Sequence, residues 1–228
     1  MKKLLAVVVL AVACQREQPA ATDATNTTDT TNTTVRTDTT AEAPKCVPAP
    51  QRLCPVDDAN ADPSFASYRQ QLLEAKDDAQ LRALISANAR TSFGGDGGID
   101  EVLKLRTELD EALRLGGSFR EGMFWAPYVY ANWPEAFDSF EHVAATKAGV
   151  SLHAKPEESS EVVARVDWEI LKIATPPQGP DEPWLHVRTA GGKEGFVRRA
   201  DVRSPVGYRA GFGKENGAWK LQALVSGD

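Results

Sequence analysis

No apolar run in this chain is long. The best, Leu4 to Ala13, is ten residues, about half of the roughly twenty that span a bilayer, which argues against a permanent transmembrane helix. Basic residues are in deficit, 26 Lys and Arg against 32 Asp and Glu for a net charge of −6. The chain thus lacks the positive footprint that phosphate-backbone binding needs, and nucleic acid is not an expected partner. Histidine is scarce: His142, His153 and His186 are the whole set, and neither a G-x-S-x-G nor an H-E-x-x-H pattern occurs. His153 and His186 fall on predicted strands of one small domain, but no third zinc ligand is assigned. A hydrolytic set would have to be gathered from such residues as Asp96 and His142, and nothing in their spacing compels it. The turn Gly94-Gly95-Asp96-Gly97-Gly98 is followed by Ile99-Asp100, without the Lys-Ser/Thr of a phosphate loop or the alternating oxygen side chains of a calcium loop. It reads as a tight strand-to-helix turn, with Asp96 or Asp100 capping the helix. No metal and no cofactor is expected.

What is present begins with the leader. Lys2 and Lys3 precede the apolar run, Val12 and Ala13 are small, and Cys14 follows. This arrangement resembles the bacterial lipoprotein signal, although Ala11 stands where such signals usually carry Leu. The resemblance implies a signal peptide over 1–13 and an acylated Cys14, with the membrane as partner through that lipid anchor. Gln15, in place of Asp, implies the outer membrane facing the periplasm. An ordinary cleaved signal with a chance cysteine is the alternative. Loss of Lys2 and Lys3 would take the net charge from −6 to −8. Cys46 and Cys54 then remain as an even pair with seven residues between them. In an oxidising compartment they are expected to form a disulfide; a metal pair would need further ligands, and no His is near in sequence.

Residues 14–45 are rich in Thr, Asn, Asp and Ala and contain no aromatic, the composition of a disordered tether. Stretched out, such a segment reaches on the order of 100 Å. Structure is expected from Cys46 onward. Asp62 and Pro63 open a helix running to Lys76, with Phe65, Tyr68, Leu72 and Leu73 on one face. A short helix from Asp77–Asp78 carries Leu81, Leu84 and Ile85. A strand over 89–93 leads into the glycine turn. The longest helix is expected from about Ile99 to Leu115, stopped by Gly116-Gly117. A strand then runs through Phe124 to Tyr130, and a short helix after Pro134 holds Phe137 and Phe140. From Val143 on, short β-branched runs alternate with Gly, Pro, Asp and Ser, the pattern of a small all-β barrel or roll. Helices first and strands second make an α+β chain.

Residues 148–203 resemble a bacterial SH3 domain. The opening Gly149-Val150-Ser151-Leu152-His153-Ala154-Lys155-Pro156, the strand Trp184-Leu185-His186-Val187, and Glu194-Gly195-Phe196-Val197 with Val202 occur in the family's order. His153 replaces its frequent Arg. The resemblance implies an SH3-like β-barrel in a bacterial SH3 domain-containing lipoprotein, with cell-wall peptide as the class of ligand. The tail, with Gly217 ahead of Trp219-Lys220, resembles the last hairpin of nuclear-transport-factor-2-like folds. On that resemblance the helix-rich domain over 46–146 is completed by residues 204–228, and the SH3-like module is an insertion between them.

The candidate ligand-binding residues are aromatic. Trp168 and Trp184 of the SH3-like module either line a stacking groove or plug its core and edge. Trp125, Tyr128 and Tyr130 are either core or a stacking face, since alternation puts the two tyrosines on one side of the expected strand. The expected function is that of a lipid-anchored envelope protein. Its SH3-like module is a non-catalytic docking domain for peptidoglycan peptide or an envelope protein. The alternatives are an enzyme or wall hydrolase with a pocket in the N-terminal domain, and a scaffold with no small ligand.

Overall fold

The computed structural model describes residues 45–95, 97–179 and 182–227. The leader, Cys14, most of the Thr-rich segment and Asp96 lie outside them. The described chain is α+β, with two sheets and their helices. No described helix is long and apolar enough to cross a membrane.

Helix α1 (Pro63–Glu74) begins where its sequence signals predict. Asp62 accepts hydrogen bonds from the backbone N–H of Ser64 and Phe65, at 2.8 and 3.2 Å, and Pro63 fills the first helical position. Phe65, Tyr68 and Leu72 form its buried face, while Leu73 points away and is half-exposed. Helix α2 (Asp78–Arg82) is capped by Asp77 through the N–H of Gln80. Leu84 and Ile85, expected on this helix, leave it instead. The Leu84 carbonyl accepts from the Tyr68 hydroxyl at 2.8 Å and from the Leu221 N–H at 3.0 Å. Strand β1 therefore spans Ile85–Arg90, not 89–93.

The glycine turn folds back on that strand. The Gly98 N–H donates to the Ala89 carbonyl, and a Cβ at Gly97 would lie 2.2 Å from the same oxygen. The turn thus depends on a missing side chain. The helix after it has Gly98 at its N-cap with no side-chain cap; Asp100 sits inside the first turn, paired with Arg82. The expected long helix is two, α3 (Ile99–Lys104) and α4 (Arg106–Arg114), broken at Leu105, whose φ and ψ are −102° and 29°. There the Arg106 guanidinium turns to the Ala75 carbonyl at 3.1 Å and the Asp110 carboxylate at 3.0 Å.

The aromatic segment also departs from expectation. Strands β2 (Ser118–Arg120) and β3 (Met123–Ala126) are followed by a cis Ala126–Pro127 bond and a helical turn, α5 (Tyr128–Ala131). Pro127 has no N–H for a ladder, and its carbonyl instead takes the N–H of Tyr130 and Ala131. Tyr128 and Tyr130 are therefore not on a strand. No helix follows Pro134. The Trp133 indole N–H donates to the Phe137 carbonyl at 2.8 Å, and Asp138 accepts from the N–H of Phe140 and Glu141. These bonds hold the segment in turns.

The second half follows its pattern closely. Strands β4 (His142–Ala145), β5 (Val150–His153), β6 (Val162–Val166), β7 (Ile170–Ile173), β8 (Trp184–Arg188), β9 (Glu194–Arg198) and β10 (Val202–Arg203) make one antiparallel sheet. Its order is β10-β4-β7-β8-β9-β5-β6. The series is open, so a closed barrel is not formed among the described residues. Val143, Val150, Leu152, Leu171, Val187 and Val197 are its core.

Strands β11 (Arg209–Glu215) and β12 (Ala218–Val225) belong to the other sheet, whose order is β1-β12-β11-β3-β2. Here β12 pairs parallel to β1, and β11 pairs antiparallel to β3. The C-terminal hairpin is thus the middle of the sheet begun by the N-terminal half, and 142–203 is an excursion from it. The helix-covered face is filled by rings: Phe65 lies 4.3 Å from Phe124, 5.6 Å from Phe212 and 5.0 Å from Trp219. Tyr128 and Val129 of α5 pack with Ala144, Ile170 and Leu53, which join the two sheets.

Candidate functional site

Among five tryptophans and four tyrosines, the five candidates Trp125, Tyr128, Tyr130, Trp168 and Trp184 fall in four places. Tyr128 is 1% exposed, within the cluster joining the sheets. Its hydroxyl is buried with no hydrogen-bond partner, and burial pushes its pKa up to about 12. Trp125 and Tyr130 meet edge to face at 5.3 Å. The Trp125 ring lies over Gly211, where a Cβ would come within 2.6 Å of it. The Arg209 guanidinium sits 4.7 Å from the centre of the Tyr130 ring and 5.4 Å from that of Phe93. Arg209 is buried, whereas Phe93 is exposed on the outer side of this cluster.

Trp168 occupies the β6–β7 turn at a φ of 51°. Its carbonyl accepts from the Leu53 N–H at 2.9 Å, and its own N–H donates to the Lys147 carbonyl. Leu53 belongs to the segment closed by the disulfide between Cys46 and Cys54. That segment also offers the Gln51 carbonyl to the Ile170 N–H at 2.8 Å. The half-buried Trp168 therefore sits where the disulfide segment is laid along β7.

Trp184 is the candidate that opens on a cleft. It starts β8, opposite Arg198 in the register with β9. The His153 ring meets it edge to face at 5.3 Å, and the Arg198 guanidinium lies 5.4 Å from its ring centre. The cleft, about 720 Å³, runs from here to the end of α4 and is walled by Leu115 and Val202 as well as by Trp184. Four arginines line it, Arg114, Arg198, Arg199 and Arg203, against the single carboxylate of Glu111. In a chain of net charge −6, this is a local excess of positive charge.

The arginines are held differently. Arg199 donates to the Glu182 carbonyl at 2.6 Å and the Gly179 carbonyl at 3.3 Å, so neutral oxygens orient it, and no carboxylate among the described residues bonds it. Arg203 donates to the Tyr208 carbonyl at 2.7 Å and pairs with Glu111 at 3.3 Å, while its Nε is buried with no partner. Burial pushes its pKa down, and Glu111 acts against that. Arg198 pairs with Glu158. Arg114 is exposed and makes no hydrogen bond or ion pair among the described residues. Such an arrangement can receive oxyanions through planar N–H forks and an apolar or planar group against the indole.

The histidines do not converge on a metal. The Nδ1 atoms of His142 and His153 lie 2.9 and 3.2 Å from the Asp138 and Ser160 carbonyls, and His186 stacks on Phe196 at 4.8 Å. No cluster of three His, Cys, Asp or Glu with metal-ligand geometry occurs among the described residues. Asp100 of α3 is engaged with Arg82, whereas His142 lies on β4 of the other sheet. Sequence reasoning found Trp184 and missed the arginines around it. Their one signal was the crowding of Arg198, Arg199 and Arg203 into six residues of an acidic chain.

Compared with known proteins, the chain matches no family model and no curated protein.

Proposed function

We propose that this is a lipid-anchored protein of the cell envelope, tethered through Cys14. Its second sheet is an SH3-like module that docks without catalysis on peptidoglycan peptide or an envelope protein. The observation that carries the docking reading is the cleft at Trp184, where an indole and four arginines face one open volume. The short antiparallel strands of the second sheet support the SH3-like reading of 148–203, although their series is open. A helix-covered sheet whose middle strands come from the C-terminal hairpin agrees with the nuclear-transport-factor-2-like one. The leader and Cys14 support the anchor, with the outer membrane facing the periplasm as the site, and the Cys46–Cys54 disulfide suits an oxidising compartment.

Co-sedimentation of the full chain with purified peptidoglycan tests the docking. The chain is expected to be retained and the Trp184→Ala variant, checked for folding by circular dichroism, to wash off; equal behaviour of the two contradicts the reading. For the anchor, Cys14→Ser is expected to move the protein from the membrane to the soluble periplasmic fraction. A variant that stays with membranes contradicts the lipid assignment.

A further inference from the structure

We infer that the Trp184 cleft selects a ligand bearing more than one oxyanion, carboxylate or phosphate, together with a planar or apolar portion that lies on the indole. The inference rests on reading the cleft as the docking site and names the chemistry that site accepts.

Three observations point the same way. Four arginines and one glutamate line the cleft; Arg203 is paired with Glu111 and Arg198 with Glu158, which leaves Arg114 and Arg199 without a carboxylate partner among the described residues. Among the described residues, neutral backbone carbonyls and not carboxylates orient Arg199. An oxyanion entering the cleft can therefore approach Arg199 without displacing a bonded carboxylate. Finally, the arginines come from two separate parts of the chain. Arg114 closes α4, while Arg198, Arg199 and Arg203 come from the end of β9, the following 3-10 turn and β10. Each arginine has its own anchoring, Arg199 on the Glu182 and Gly179 carbonyls, Arg203 on Tyr208 and Glu111, and Arg198 beside Glu158, so the lining offers several separate forks and suits a ligand with several charged groups.

Planar forks favour bidentate oxyanions but do not by themselves separate carboxylate from phosphate. The probes therefore include both. Calorimetric titration of the full chain with citrate, a tricarboxylate, and with pyrophosphate is expected to show saturable binding to at least one, weakening with added salt. A preference for citrate identifies carboxylates as the natural groups, and a preference for pyrophosphate identifies phosphoryl groups. The double variant R199Q/R203Q is expected to bind about tenfold more weakly or worse. Because those side chains also hold backbone, a second variant, Arg114→Glu, tests the charge alone at an exposed position, with weakening again expected. Arg188→Gln, which alters an exposed arginine outside the cleft paired with Glu194, is expected to change nothing. No binding of either anion, or undiminished binding by R199Q/R203Q and R114E, overturns the inference. Peptidoglycan retention is scored separately. A chain that is retained there but binds neither anion overturns this ligand class alone, whereas one that binds an anion but is not retained overturns the wall-docking reading alone.

Discussion

Asp62 shows how much one side chain can hold. It caps α1, accepts from the Ser64 hydroxyl at 2.5 Å and pairs with Lys214 of β11 at 3.3 Å. The Ser64 hydrogen bond first, then the Phe65 N–H and Lys214, push its pKa down from 3.8 to about 2. A carboxyl with a depressed folded pKa adds stability that is present above pH 3.8 and is lost as pH falls through about 2. Asp62→Ala is expected to lower the melting temperature at pH 7, and the gap from the parent chain should close as the pH approaches 2. A gap independent of pH contradicts the assignment. At Tyr128 the expectation is reversed. Its buried hydroxyl has no partner, so Tyr128→Phe is predicted to leave thermal stability unchanged or raise it by about 1 kcal/mol in a denaturant titration. Gly211→Ala places a methyl 2.6 Å from the Trp125 ring and is predicted to cost about 1–3 kcal/mol.

At the scale of elements, the C-terminal hairpin decides the first sheet. With β12 and β11 removed, β1 is left without a partner strand and β3 is left with only β2. A chain truncated after Arg203 is therefore predicted to lose cooperative unfolding of the 58–131 region in hydrogen exchange; retained protection there would contradict the topology. The disulfide segment works on the other sheet, lying along β7 through Gln51 and Leu53. Reduction is predicted to cost about 2–3 kcal/mol on the chain-entropy account. Much of this was legible in the sequence. Strands β5 to β9 were marked by runs with β-branched residues between turn residues, the C-terminal hairpin by Gly217 ahead of Trp219-Lys220, and α1 by Asp62-Pro63. Less visible features were set by contacts between distant residues. No Gly or Pro marks the break at Leu105, which accompanies Arg106 turning to Ala75. Ile85 leaves its helical pattern because Leu84 bonds to Leu221, far along the chain. Pro127 was visible, but not that its carbonyl would start a helical turn.

On the scale of the whole molecule, one chain builds two sheets and leaves a positive cleft where α4 meets the end of the second. Trp184 was legible as a candidate because an indole at a strand start is conspicuous. The arginines were not, because Arg114 and the 198–203 group are far apart in sequence and the overall charge is negative. Oxyanion capture by such a cleft would give a tethered protein a grip on an acidic, wall-bound target. The most direct test is hydrogen–deuterium exchange on the full chain with and without solubilised wall peptides. The account predicts added protection at 111–115 and 198–204 on either side of the cleft, with the 123–131 aromatic segment unchanged. Protection confined to 123–131, or none anywhere, would contradict it.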